Sequence, residues 1–454
     1  MLRSTTLVLL YLLPGICFCQ DAGSDSAKAA AQLDRQWNAS AFLTPYRPNL
    51  SDSDKLAGLS ELWAQAKFSF ANFWHVPQLD WDQTYRDFIP QVLATKSTEQ
   101  YYRTVQRFYA LLRDGHSNVY PPDQLNISPM PLLTRLVDGH VLILGKRLPG
   151  FDLQGLHPGD EILTINGEPA IAWAIQNVEP FVSASSPQDR DNRTFGHDLF
   201  QAPEGTSFQI TTSTPSGVRT SHTLTVPRYQ APRTRAFEFR MLPNGVAYVA
   251  LNSFGDDTAA KEWDTHWPEI SKANSLVLDV RENQGGSTSV GSHILAALIT
   301  KSSPGEMSRL TKWVAAYAAW GDPETPVQPP LDMIEPDAAR HFSGPVVMLT
   351  SPRTFSAGED MVVAFAQAHR GPLIGEATAG STGQPLVFKL PGGGTARICT
   401  KHDSFADGKE FVGSGVTPDL VVHATRRDVV AGHDPVLARA LQWLQDALQN
   451  DLPH

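Results

Sequence analysis

Residues Gly344 to His369 read GPVVMLTSPRTFSAGEDMVVAFAQAH. Val346 to Leu349 is a continuous apolar run bounded by Pro345 and Pro352, the pattern of a strand buried on both faces. A turn follows from Ser351 to Phe355. Beyond it Met361, Phe365 and Ala368 fall at helical spacing, and Glu359 and Asp360 stand in the first turn, where the helix dipole favours acids. Ser356 therefore sits where a strand hands over to a helix N-terminus, with free backbone N–H groups beside its hydroxyl. That setting presents a nucleophile, although it is not a G-x-S-x-G elbow. Taken alone, the stretch equally fits an N-cap serine.

The same strand-to-helix grammar recurs upstream. Val246 to Leu251 and Leu276 to Val280 are apolar runs, with a helical stretch from Thr258 to Ile270 between them. That order implies parallel pairing. The second run leads through Asp279-Val280-Arg281-Glu282-Asn283-Gln284 to Gly285-Gly286, then a helix from Thr288 to Ile299. Paired glycines at such a junction let backbone approach a reacting atom. Downstream come a strand at Leu373 to Glu376, a glycine-rich segment from Thr378 to Gln384, and strand-like stretches at Leu386–Leu390 and Thr395–Cys399. Gly413-Ser414-Gly415-Val416-Thr417-Pro418-Asp419 follows, and the chain closes with a helix from Pro435 to Leu448. Residues Ser302 to Phe342, rich in Pro and Trp, lack clear periodicity.

The first third is helical. Leu56, Leu59, Trp63 and Ala66 share a face, Asp80 to Leu93 forms a second helix, and a third opens with the capping-box sequence Ser97-Thr98-Glu99-Gln100. Its apolar face is Tyr102, Val105, Phe108, Tyr109 and Leu112, and Gly115 is expected to stop it. His116 and Ser117 come immediately after. From Leu132 to Arg228 the pattern changes to short strands and turns, including Val141–Leu144 and Phe208–Thr212. Pro158-Gly159 and Asn166-Gly167 bracket one strand. Ser183 to Pro203 reads as a polar loop.

With 454 residues, two to four domains are expected. The net charge of −10 argues against nucleic acid or an anionic membrane as main partner. Met1 to Cys19 has a charged start and an apolar core too short to span a bilayer, the form of a secretory signal peptide. Residues 20–50 read as a flexible lead-in, and no later stretch suits stable membrane insertion. Two of the three cysteines lie in the leader, which leaves Cys399 as a small buried hydrophobe. There are no Cys/His pairs at metal-ligand spacing, so neither metal nor cofactor is expected.

Four landmarks in order carry a resemblance: Asp114-Gly115-His116-Ser117, GLHPGDEILTINGEP from Gly155, LVLDVRENQGG from Leu276, and TSPRTFSAGE from Thr350. The second resembles the carboxyl half of a PDZ domain. Together the four resemble the S41 peptidases, the tail-specific or C-terminal-processing proteases and their tricorn-like relatives. The resemblance implies a multidomain α/β chain: a helical domain (51–127), a PDZ-like β-rich domain (128–230), a crotonase/ClpP-like α/β serine protease domain (231–425) and a C-terminal helix (426–454).

It also implies Ser356 as nucleophile, with Ala357 and Gly285 or Gly286 supplying oxyanion N–H groups. The processing proteases carry a lysine base some 25 residues after the serine, but Thr378 to Gln384 contains none, and Ser381 stands in that place. The tricorn-like branch uses a histidine from before the PDZ-like domain, which His116 matches; imidazole titrates near neutrality. The acid that normally assists the histidine is replaced by Val412, which leaves either a Ser-His dyad or a relocated acid, with Glu410, Asp407 and Asp403 as the nearby substitutes. Ser117 and Gln384 are accessory candidates, and Gly155, Leu156 and Gly159 are candidates for holding a peptide substrate. The expected function is a secreted or periplasmic serine endopeptidase acting on extended polypeptides. The alternatives are a silent S41-like protein binding peptides or hydrophobic ligands, and a crotonase-like acyl-CoA enzyme, which the leader disfavours.

Overall fold

The computed structural model describes residues 43–148, 151–153, 155–228, 235–310, 317, 319–321 and 327–450. The signal-peptide reading of residues 1–19 and most of the lead-in fall outside them. Among the described residues no helix is long and apolar enough to cross a membrane.

Three α-helices open the described residues: α1 (Asp52–Ser69), α2 (Trp81–Ala94) and α3 (Thr98–Ala110). Each begins at a side-chain cap. The hydroxyl of Ser51, the carboxylate of Asp80 and the hydroxyl of Ser97 accept the N–H of Asp54, Gln83 and Gln100 respectively. The expected capping box is half made, because Gln100 Oε1 accepts from the N–H of Lys96 rather than of Ser97. The helices share a core of Leu59, Leu62, Val92, Val105 and Phe108, and Trp81 stacks on Phe108 with centroids 4.3 Å apart. Each such buried side chain contributes about 1.5–3 kcal/mol. Helix α3 ends at Ala110, earlier than Gly115, and Arg113 takes the left-handed turn with φ 48°.

After the short strand β1 (Asn118–Tyr120) comes a β-rich module of β2 (Leu132–Val137), β3 (His140–Lys146), β4 (Glu161–Ile165), β5 (Ser207–Ser213) and β6 (Arg219–Thr225). These pair antiparallel in sequence order around Ile143, Ile162, Ile165 and Ile210. The connection from β4 to β5 holds α4 (Ala170–Asn177), α5 (Pro187–Asn192) and a π-helical turn, Arg193–His197. The segment expected as a polar loop is thus partly helical. From it Gln188 donates to the Thr378 and Ser414 carbonyls, and the Arg193 guanidinium lies over the Phe355 ring.

The second half builds a sheet from β7 (Phe237–Leu242), β8 (Val246–Leu251), β9 (Ser275–Asp279), β10 (Val346–Thr350), β11 (Leu373–Gly375) and, beyond two strands introduced next, Leu420–Val421 at the edge. All pair parallel except β7, which joins β8 antiparallel. Helices α6 (Thr258–Ile270), α7 (Thr288–Ala296) and α8 (Ala357–Gln367) cover one face, burying Trp263, Ile294 and Phe365. The opposite face is covered by the closing helix Pro435–Asn450 through Val436, Ala440 and Leu444, so this helix is a layer of the sheet domain.

One further pairing positions the site. Strands β12 (Pro385–Lys389) and β13 (Thr395–Cys399) form a three-stranded sheet with β1, which pairs antiparallel with β13. The residues just after His116 are therefore sewn to the second half of the chain.

Candidate active site

Strand β10 delivers the chain to a turn fixed by hydroxyls. Thr354 Oγ1 donates to the Val280 carbonyl, Ser351 Oγ donates to the Arg281 carbonyl, and the Phe355 N–H donates to the Asn283 carbonyl. Ser356 follows at φ 57°, ψ −133°, a conformation rare outside glycine that costs on the order of 1–3 kcal/mol. Its side chain is half-exposed, so the hydroxyl is reachable. Helix α8 starts at the next residue.

The Asp114–Ser117 turn brings His116 to this serine, with Nε2 lying 3.0 Å from Ser356 Oγ. Buried Asp114 holds the turn by accepting the His116 N–H, the Ser117 hydroxyl and the Asn72 amide. The imidazole lies flat on the Phe355 ring, with centroids 4.4 Å apart. Burial first, then the charges of Arg397, Arg193 and Lys401, hold the His116 pKa well below its ordinary value. The ring is therefore neutral near pH 7, the state a general base requires.

The far nitrogen of the ring, Nδ1, lies 3.1 Å from the Oγ of Ser381, and no carboxylate contacts it among the described residues. Ser381 touches both members of the pair, because its carbonyl accepts the Ser356 N–H at 3.0 Å. Its own N–H donates to Glu359 Oε2, and the Gly380 N–H and Thr378 hydroxyl donate to Oε1. Glu359 is fully buried, and desolvation pushes its pKa up to about 7 against those three donors. Gly115 stands where a Cβ would come 2.6 Å from Ser381 Oγ, so its role is close approach rather than ending a helix.

The remaining sequence-derived candidates divide. Gly285 lies against Ser356, where a Cβ would meet the serine Cβ at 2.5 Å. Its N–H, however, is taken by Asn283 Oδ1. Among the described residues no acceptor is paired with the N–H of Gly286 or Ala357, which leaves those two as available oxyanion donors. The acids proposed for His116 are elsewhere. Glu410 accepts from His402 Nε2 at 2.6 Å, Asp407 accepts the Lys409 N–H, and Asp403 accepts from Ser308 and Thr382 beside Lys401. Ser117 donates to Asp114 and accepts from the Cys399 N–H, so it braces the turn. Gln384 is exposed, and its carbonyl accepts from Thr400. In the Gly155–Gly159 loop the N–H groups of Leu156 and Gly159 already donate to Leu153 and Ile143 carbonyls, and Leu156 is core. Two of the three donors expected of that loop are thus already used.

Sequence reasoning placed Glu359 and Asp360 as first-turn acids favoured by the dipole. Both are buried, and Asp360 accepts from Thr288 and Thr382. Lys401, a half-buried lysine near the site, is held 3.1 Å from Asp403 and 3.6 Å from Glu306. These carboxylates push its pKa up against burial, so it remains an ammonium and is unsuited to be a base. Among the described residues no group of His, Cys, Asp and Glu is arranged to hold a metal ion.

Residues 245–422 match the profile of Peptidase family S41. The carboxyl-terminal-processing protease of Picosynechococcus sp. is 24% identical over 376 residues, covering 80% of this chain and 80% of that protein. The carboxy-terminal processing protease CtpA of Bacillus subtilis is 24% identical over 287 residues, covering 62% of this chain and 53% of that one. In fold, mature CPAF complexed with lactacystin superposes with a TM-score of 0.70 at 15% identity, covering 88% of this chain and 99% of that one. Fold, site and relatives together define a serine-type peptidase. Within the chain, residues 245–422 are the part that matches peptidase family S41.

Proposed function

We propose that this chain is an endopeptidase that cleaves extended polypeptides through an acyl-enzyme, with Ser356 as nucleophile and His116 as base. The observation that carries the reading is the 3.0 Å approach of a neutral imidazole to a reachable serine hydroxyl at the head of α8. His116 Nε2 takes the hydroxyl proton as Ser356 Oγ attacks the scissile carbonyl. The N–H groups of Ala357 and Gly286 receive the oxyanion, each worth roughly 3–4 kcal/mol. His116 then returns the proton to the leaving amine, and water repeats the sequence to release the acid. Nδ1–H donates to Ser381 Oγ throughout, so a neutral hydroxyl rather than an acid orients the ring. The β-rich module, PDZ-like in its Gly155–Pro169 sequence, stands beside this centre, and the Met1–Cys19 leader supports a secreted or periplasmic location. Covalent labelling by an alkyl fluorophosphonate tests the reading: wild-type protein labels, and Ser356→Ala and His116→Ala do not. Labelling at a different serine would overturn the assignment.

A further inference from the structure

A cleft of about 1520 Å3 opens between α3 and the β-rich module, and its wall continues from the His116 turn through Ser117, Asn118, Val119 and Tyr120. Strand β1 forms part of this wall. It is an edge strand, paired with β13 on one side only. The Val119 side chain is buried in the helical core, so what Val119 presents to the cleft is backbone. Gln106 Nε2 donates to the Val119 carbonyl at 3.2 Å, which shows that this carbonyl points away from β13. In a strand the N–H and C=O of one residue point to the same side. The Val119 N–H therefore faces the cleft as well, and the Gln106 amide sits where the N–H of an added strand would be.

The module offers no comparable edge on the side facing the site. Its β2 is packed by the Arg193–His197 turn, with Thr134 Oγ1 donating to the Phe195 carbonyl and Gly196 close against the Thr134 carbonyl. The opposite wall of the cleft carries aromatic side chains, with Trp173 and Phe208 in edge contact at 5.8 Å and Phe181 alongside, next to the charged Arg193, Asp198 and Arg228.

We infer that β1 is the docking strand for the substrate, and that the residues N-terminal to the scissile bond add to its Val119 edge, displacing the Gln106 amide. The inference rests on the peptidase reading above and deepens it. The N-terminal side is favoured because that portion stays bound through both steps of an acyl-enzyme reaction, so a continuous hold is useful there. Val119 lies three residues beyond His116, about 10 Å along an extended strand. Its partner is therefore roughly the third substrate residue before the cleaved bond. Side chains of an added strand alternate between faces, and the residue opposite Val119 shares the face of the core-buried Val119 side chain, so its neighbour, roughly the fourth before the bond, is the one that meets the aromatic wall. A large apolar residue is favoured there over an acidic one.

The test compares two covalent adducts of the wild-type protein, one made with an alkyl fluorophosphonate and one with a six-residue peptide ending in a diphenyl phosphonate. Hydrogen exchange of the peptidyl adduct is expected to show added protection in residues 117–121 relative to the alkyl adduct, with none in Gly155–Gly159. Peptides with Phe at the fourth residue before the phosphonate are expected to label at least about tenfold faster than those with Asp there. Failure of both reagents to label would overturn the parent reading. Labelling by the alkyl reagent alone would overturn this inference only, as would protection confined to Gly155–Gly159 or equal rates for Phe and Asp.

Discussion

His116 Nδ1 lies 3.1 Å from Ser381 Oγ, the residue at the position where the S41 resemblance implies a lysine. On the proposed mechanism, the residue at that position orients the base instead of being it. A hydroxyl fixes the ring and its tautomer, as an acid does, but does not stabilise the imidazolium by charge. Ser381→Ala is therefore expected to lower kcat/KM by about 10–100-fold. It also leaves the Nδ1–H unpaired, which changes the pH profile, a readout that simple loosening would not move. Asp407→Asn, remote from the ring, is expected to stay within about twofold. A larger loss in Asp407→Asn than in Ser381→Ala would reverse the assignment.

The electrostatics of His116 set a direction for pH dependence. Its folded pKa is lowered, so the neutral, basic form persists to more acid pH than for a free imidazole. The rise of kcat/KM with pH is expected to have its midpoint below about 6.5. The same sign applies to stability. This contribution is intact above the unfolded-state pKa and is lost as pH falls towards the folded value. An activity that climbs only above about pH 9 would point to a lysine base instead.

Glu359 has the opposite sign. Its folded pKa is raised from 4.5 to about 7. Its favourable contribution is complete below the unfolded value and disappears as pH rises through about 7, a difference on the order of 3 kcal/mol. In a Ser356→Ala background, which excludes self-cleavage, Glu359→Gln is expected to lose a pH-independent amount from mispaired donors. It should then gain relative to its parent as pH goes from 5 to 8. Parallel thermal-melting profiles across that range would show that Glu359 ionises normally.

The glycine pair separates fold from chemistry. A Cβ at Gly286 would lie 2.0 Å from the Phe254 carbonyl carbon, against backbone that cannot yield. Gly286→Ala is expected to lower the melting temperature markedly. At Gly285 the same atom meets Ser356 Cβ at 2.5 Å and the Ala357 nitrogen and Phe355 carbonyl oxygen at 2.9 Å, less severe than the 2.0 Å at Gly286, so Gly285→Ala is expected to abolish fluorophosphonate labelling with a smaller, though real, loss in melting temperature. Equal labelling in Gly285→Ala and wild type would mean that the serine has room to shift.

Much of this was legible in the sequence because it depends on local signals. The apolar run Val246–Leu251 is a strand with those limits, Thr258–Ile270 is a helix with those limits, and Val346–Leu349 extends only to Thr350. Ser356 and His116 were readable from their turns, and the structure brings them together. What was not legible is the partner of Nδ1. A serine in a glycine-rich segment carries no periodic signal, and its value depends on a loop fixed by a buried glutamate 22 residues away. The acids near Gly415-Val416 were chosen by sequence distance, which says nothing about the direction of Glu410 towards His402. Burial of Glu359 and Asp360 was hidden for a similar reason. First-turn acids look the same in sequence whether water or another loop covers them.

The distances along the chain between the members of the site bear on how the protein is made. Ser356 lies 240 residues after His116, and Ser381 lies 265 after it. Strand β1 has no sheet partner until β13 has been translated. At roughly 5–20 residues per second, on the order of 10–50 s of synthesis separate the appearance of the histidine from that of its last contact. Throughout that interval the nascent chain carries a histidine without its serine and then a serine without a docked histidine. Competence to cut polypeptides is thereby deferred until the later part of the chain has emerged, and the growing protein is spared attack by its own unfinished copies.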